Sequence, residues 1–300
     1  MTKNNFLIYI STILLLLNIA FVLPSFGVWA MYPKTKNTIP NALVNYQAPL
    51  EPKTIAVTYP TLLAQNFVLI DVDTNKILFS KNQNDKIYPA SLTKLATALT
   101  ALNIYPLDEI ITIPEVYKEG KVMELVTGEK ITVRSLVTAL LVYSANDSAI
   151  NLAKHHSDGT VGFIDQMNQL FLKYNLKNTN FSNVDGIHDP NHYSTVYDLS
   201  QLARIAIKNK IVSETVKQKN VIVTDVDHQY QHNLVSTNEL LGKVPEIEGL
   251  KTGWTPEAGG CFIGLINING HYLISVIAQS GDRFKDTETI VTWSKKNIIW

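Results

Sequence analysis

Near its carboxyl end the chain reads "GCFIGLINING" and then "HYLISVIAQS", two apolar runs meeting at Asn269-Gly270. Asn-Gly is the strongest short-range signal for a two-residue hairpin, because both central residues of that turn need positive φ. The two runs are therefore predicted to pair as an antiparallel hairpin. A second hairpin is predicted at "NFVLIDVDTNKILFSKN", which alternates around Asp73, Thr74 and Asn75. The two hairpins are expected to share one sheet.

Between them the apolar spacing is three and four, the helical period. It predicts helices in "SLTKLATALTALNIY", "TVRSLVTALLVYS", "NDSAINLAKHH", "TVGFIDQMNQLFLKYNL" and "TVYDLSQLARIAIKN", with Thr132, Asn146, Thr160 and Thr195 as caps. The last segment, "DRFKDTETIVTWSKKNIIW", is expected to be a closing helix packed on the sheet. Strand, helices, strands, helix is the order of an α+β domain with a helical insertion.

Residues 6–23, "FLIYISTILLLLNIAFVL", run eighteen residues without a charge. That length is at the lower edge of a membrane span and above the usual apolar core of a signal peptide, so residues 1–30 are expected to form an amino-terminal membrane anchor. Val28 and Ala30 leave a cleavable signal segment as the alternative. Either way the rest of the chain is exported, to the outer face of the cell membrane or, if cleaved, to the cell wall. Residues 31–60 hold five prolines and little periodicity, and are expected to be a tether, with the globular domain at 61–300. With 26 basic and 26 acidic residues, no net charge points to a nucleic-acid partner. Cys261 is the only cysteine, so there is no intrachain disulfide and no thiolate cluster for a metal.

Ser91 and Lys94, in "YPASLTKLAT", lie three apart on a helix and can touch. Serine needs a base to attack at neutral pH, and a lysine becomes one when desolvation lowers its pKa. A position at the helix's amino end adds N–H groups for a developing oxyanion. Alone, Ser-x-x-Lys is usually a solvated helix face. "YSAND" adds Ser144 and Asn146 at a break between helices, where the simpler role of Asn146 is a helix cap. "GLKTGWT" adds Lys251, Thr252 and Gly253 at a strand start, the glycine expected where a ligand backbone approaches closely.

The three in order form the signature of penicillin-binding proteins and class A β-lactamases. With "FSNVDGIHDPNHYSTVYDLSQLAR", "GLKTGWTPEAGGCF" and "RFKDTETIVTWS", residues 61–296 resemble the D-alanyl-D-alanine carboxypeptidases, the low-molecular-weight penicillin-binding proteins of peptidase family S11. The resemblance implies a β-lactamase/transpeptidase-like α+β fold, an antiparallel sheet flanked by helices on both faces plus a helical subdomain, with its active site in the cleft between them. It implies Ser91 as nucleophile, Lys94 as its base, Ser144 as proton relay, Asn146 holding the substrate backbone, and Lys251 keeping the site positive and lowering the Lys94 pKa. Thr252 and Arg283 would take the terminal carboxylate, and the N–H groups of Ser91 and Trp254 would form the oxyanion hole. The implied substrate is a peptidoglycan stem peptide ending in D-Ala-D-Ala, with β-lactams as acylating inhibitors and no cofactor or metal. His188 and His192 flank Asp189 at a spacing that suits zinc, but so sparse a ligand set reads as structural loop. A class A β-lactamase is disfavoured, because no Glu-x-x-Leu-Asn segment lies between the second and third motifs. A non-catalytic peptidoglycan-binding protein is the other alternative, and an intact nucleophile with its base argues against it.

Overall fold

The computed structural model describes residues 48–56 and 58–300. The expected anchor, residues 1–30, lies outside the described residues. Among those described, no helix is long and apolar enough to cross a membrane. The expected tether is shorter than its composition suggested. Residues 53 and 54 form strand β1 (Lys53–Thr54), which pairs antiparallel with a terminal strand at Ile298–Ile299, Pro52 is buried, and the Trp293 indole N–H donates to Thr58 O. The folded unit therefore begins at Pro49.

The central sheet holds β2 (Asn66–Asp71), β3 (Ile77–Lys81), β8 (Ile247–Thr255), β9 (Gly259–Ile268) and β10 (His271–Ser280). Their order is β3-β2-β10-β9-β8, antiparallel throughout, so the two expected hairpins do share one sheet and β8 is an edge. Asn269 takes the positive φ its turn requires. Both faces are covered. Val68, Ile70, Ile263 and Val276 point into one core, Phe67, Leu69, Phe262 and Ile277 into the other. Helix α5 (Val196–Ala206) packs on the first face and α7 (Arg283–Asn297) on the second. This two-sided burial is the physical reason the strands read as continuous apolar runs.

The helical part is α1 (Thr93–Ile104), α2 (Val133–Val142), α3 (Asn146–Lys154) and α4 (Gly159–Lys173), with a short α6 (Lys210–Thr215). Thr132 and Thr195 cap α2 and α5 through their hydroxyls as expected. Thr160 and Asn146 do not cap: Asp158 precedes α4, and Ala145 precedes α3 without any side-chain cap. Two further hairpins, β4 (Ile110–Thr112) with β5 (Lys130–Thr132) and β6 (Asn220–Thr224) with β7 (Gln231–Val235), escape a reading by period because each strand is short and half exposed.

Candidate active site

Ser91 sits in a single 3-10 turn, Ala90–Leu92, that runs directly into α1. Ala90 enters the turn at φ +48, a left-handed conformation that side chains disfavour, so the surroundings must impose it. Two glycines do. Gly186 (φ +84) lies so close beneath that an added Cβ would fall 1.9 Å from Ala90 O. On the other side β8 passes Ser91 at Gly253, where a Cβ would come within 3.1 Å of the Ser91 amide nitrogen. Gly253 is thus needed as glycine for the approach of the nucleophile's own backbone, while the residue also lines the cleft.

Lys94, one turn on, is fully buried; its Nζ lies 2.9 Å from Ser91 Oγ and donates to Asp185 O at 2.5 Å. Burial brings its pKa down from 10.5 to about 8, against the opposing pull of Asp185 and Asp147. In the neutral amine the Ser91 contact reverses, the hydroxyl donating to the nitrogen lone pair while a remaining N–H keeps Asp185 O. That is a serine with its base in place.

Ser144 occupies the break between α2 and α3 at φ +69, which turns its side chain toward β8. Lys251 Nζ donates to Ser144 Oγ at 2.9 Å and to Thr252 O at 3.0 Å. Lys251 is buried, and burial together with the Lys94, Lys121 and Arg283 cations holds its pKa well below the usual lysine value. Burial is the largest cause of the Lys94 shift, and the mutual repulsion of the two ammonium groups disfavours protonating both at once.

Asn146 Nδ2 donates to Glu119 O at 3.1 Å and its backbone N–H to Lys121 O at 2.6 Å, so the side chain anchors a loop and does not cap the helix. Thr252 Oγ1 lies 2.6 Å from Thr237 Oγ1. Arg283 opens α7, its Cζ 4.7 Å above the Phe284 ring and its buried Nε without a partner. Ser91, Ser144, Asn146, Thr252, Gly253, Trp254 and Arg283 all line one cleft of about 300 Å³. Lys94 and Lys251 sit behind Ser91 and Ser144. Trp254 is 60 % exposed at the lip. Every site residue named from the sequence is either in this cleft wall or hydrogen-bonded to it.

Sequence reasoning did not single out Gly120, Lys121, Asp185, Gly186, Ile187, Thr237 and Thr255, which line the same cleft: Thr255 ends β8 within the Lys-Thr-Gly segment, and the others lie in irregular connections. The glycine of "DGIHD" was the one available signal. Asp185 is the only carboxylate among the lining residues. His192 is buried and committed elsewhere: its Nδ1 accepts from the Ser182 and Asn183 amides, so Nε2 carries the proton and donates to Thr93 Oγ1 at 2.7 Å. His188 packs edge-on against Tyr88. Among the described residues no three His, Cys, Asp or Glu side chains gather to hold a metal.

A family model described as D-alanyl-D-alanine carboxypeptidase matches residues 53–281. The chain is 31 % identical over 206 residues to the D-alanyl-D-alanine carboxypeptidase DacF of Bacillus subtilis, covering 66 % of this chain and 52 % of that protein. It is 29 % identical over 275 residues to DacA of Haemophilus influenzae, covering 86 % and 67 %. The chain thus spans about half to two thirds of the length of these relatives. The crystal structure of the Streptomyces K15 DD-transpeptidase superposes with a TM-score of 0.75 at 29 % identity, covering 79 % of this chain and 98 % of that one.

Proposed function

The chain belongs to the D-alanyl-D-alanine carboxypeptidase family, peptidase family S11, and from that premise we propose that it is a serine-type carboxypeptidase that removes the terminal D-alanine from peptidoglycan stem peptides. The observation that carries this reading is the buried Lys94 amine, held 2.9 Å from Ser91 Oγ with its pKa lowered to about 8.

The steps combine the roles that the family resemblance implies with the contacts in the cleft. Neutral Lys94 takes the Ser91 proton as Oγ attacks the carbonyl between the two D-alanines. The Ser91 and Trp254 amides receive the oxyanion. Ser144, hydrogen-bonded to Lys251, passes a proton to the leaving amine, and D-alanine departs. Thr252 and Arg283 hold its carboxylate, with the unpartnered Arg283 Nε one donor still to be satisfied. Water then cleaves the Ser91 ester.

Among the described residues no glutamate lines the cleft to activate that water rapidly, which supports penicillin acylating Ser91 and remaining there. Fast turnover of penicillin by the purified protein would contradict this. The likeness to a DD-transpeptidase over nearly all of its length favours a second outcome of the same acyl-enzyme, transfer to an amine. Adding an amine acceptor to the assay and looking for the exchanged peptide separates the two.

The deciding experiment is release of D-alanine from an acyl-peptide ending in D-Ala-D-Ala by the full-length protein and by Ser91→Ala. Release by the parent alone is expected. Release by neither, from folded protein, would return the chain to the wall-binding alternative. For placement, we propose that residues 1–30 hold the domain at the outer face of the cell membrane. Extraction of the full-length protein into the soluble fraction by alkaline carbonate would overturn that.

A further inference from the structure

Lys121 is a cation in the cleft that the proposed chemistry leaves unused. It belongs to the segment 119–121, which wraps Asn146: Glu119 O takes the amide side chain and Lys121 O the backbone N–H. Gly120 makes the wrap possible, since at φ +70 an added Cβ would lie 2.4 Å from Asn146 Nδ2. The position of Lys121 is therefore tied to the Ser144–Asn146 turn. A few residues on, the Asp147 carboxylate takes the Met123 and Leu125 amides, and the His232 ring bonds Met123 O, so both sides of the segment are held.

The side chain is exposed and its Nζ stands 4.1 Å above the Tyr143 ring. Among the described residues no carboxylate comes within ion-pair distance of it. An exposed cation–π contact is worth little and does not account for a lysine presented in this way to the cleft. Thr252 and Arg283, on the sheet side, already serve the terminal carboxylate. Lys121 lines the cleft from the loop that wraps Asn146, on the helical side and apart from Thr252 and Arg283, so the binding mode proposed above leaves it the part of the peptide on the amino side of the scissile bond.

We propose that Lys121 is a specificity-determining residue that pairs with an anionic group on that part of the substrate, a free carboxylate on the residue preceding the terminal dipeptide. An ammonium placed there also repels a peptide whose preceding residue ends in an amine, so it discriminates in both directions. The inference rests on the carboxypeptidase reading and deepens it.

The test compares kcat/KM of the full-length protein for three acyl-tripeptides X-D-Ala-D-Ala in which the X side chain ends in a carboxylate, an amide or an amine. The parent is expected to favour carboxylate over amide by about five-fold, the scale of an exposed ion pair, and the preference should shrink with added salt. Lys121→Met, which keeps an apolar stem over Tyr143, should bring the ratio to about one. Lys121→Glu should invert it toward the amine. The rate at which Ser91 is acylated by a β-lactam with an anionic side chain, against one with a neutral side chain, reads the same preference without deacylation. An unchanged ratio in both variants, or an equal fall for all three peptides, would overturn the inference. Acylation without any charge preference in the parent would sink it alone, whereas a parent neither acylated nor active on any peptide would overturn the carboxypeptidase reading and this inference with it.

Discussion

The 2.9 Å contact between Lys94 Nζ and Ser91 Oγ makes a pH-dependent nucleophile. Because burial lowers the Lys94 pKa to about 8, its free-amine fraction grows as pH rises through that value. The rate of Ser91 acylation by a penicillin is therefore expected to climb from pH 6.5 to about pH 8.5 and then level. Lys94→Arg, which cannot lose its proton, should lower that rate by at least about 10³-fold at every pH, a typical weight for a general base with its nucleophile. A flat profile would mean that Lys94 is not the base. Gly253→Ala tests the same turn from its other side, since its Cβ would press on the Ser91 amide nitrogen at 3.1 Å. Acylation should slow while the melting temperature barely falls. At Gly186, by contrast, a Cβ 1.9 Å from Ala90 O combines with a positive φ, and Gly186→Ala should cost stability itself, about 2–4 kcal/mol by urea unfolding.

Two helix starts that look alike by composition behave differently as elements. Thr195 caps α5 through its hydroxyl, accepting from the Asp198 amide, so Thr195→Ala should cost about 1 kcal/mol of stability and leave acylation intact. Asn146 opens α3 with its side chain turned outward to the loop that carries Gly120 and Lys121. Asn146→Ala should therefore speed amide exchange in residues 117–125 and depress acylation, with little change in global stability. The opposite pattern, a stability loss with the loop still protected, would restore the capping role. The β1 strand makes a similar point. A protein truncated to start at residue 61 leaves the Trp293 indole N–H without Thr58 O and the terminal strand without its pair, and should melt several degrees below one starting at Pro49.

On the scale of the whole molecule, two buried histidines bias stability in opposite directions with pH. His192 is neutral in the fold, its pKa pushed by burial to about 4. The unfolded chain binds that proton near pH 6.5, so stability falls as pH drops from about 6.5 to about 4, by about 3 kcal/mol from this group. His232 faces two acceptors, Met123 O and the Glu129 carboxylate, and these raise its pKa against the cost of burial. Its contribution is fully present below the ordinary histidine pKa and is lost as pH rises through the raised value. Urea unfolding of the parent and of His192→Gln at pH 7 and pH 5 isolates the first term: the parent should lose the more stability on acidification. Equal losses would mean that His192 does not stay neutral in the fold.

The apolar runs about Asn269-Gly270, the helical periods between the hairpins and the order of the Ser-x-x-Lys, Ser-Ala-Asn and Lys-Thr-Gly segments were legible in the chain as written, because each is a local property of backbone geometry or of side-chain spacing. From them followed the shared sheet, the helical insertion and the pairing of Ser91 with Lys94. Tertiary structure alone decided what depends on groups far apart in sequence. Burial is the largest cause of the lowered Lys94 pKa; Gly253 and Gly186 are spaces for the backbone around Ser91; Asn146 holds a loop; and Lys121 reaches the cleft from the loop that wraps Asn146. Desolvation and close approach arise from surroundings that the chain assembles only when folded, so no short stretch of sequence carries their signature.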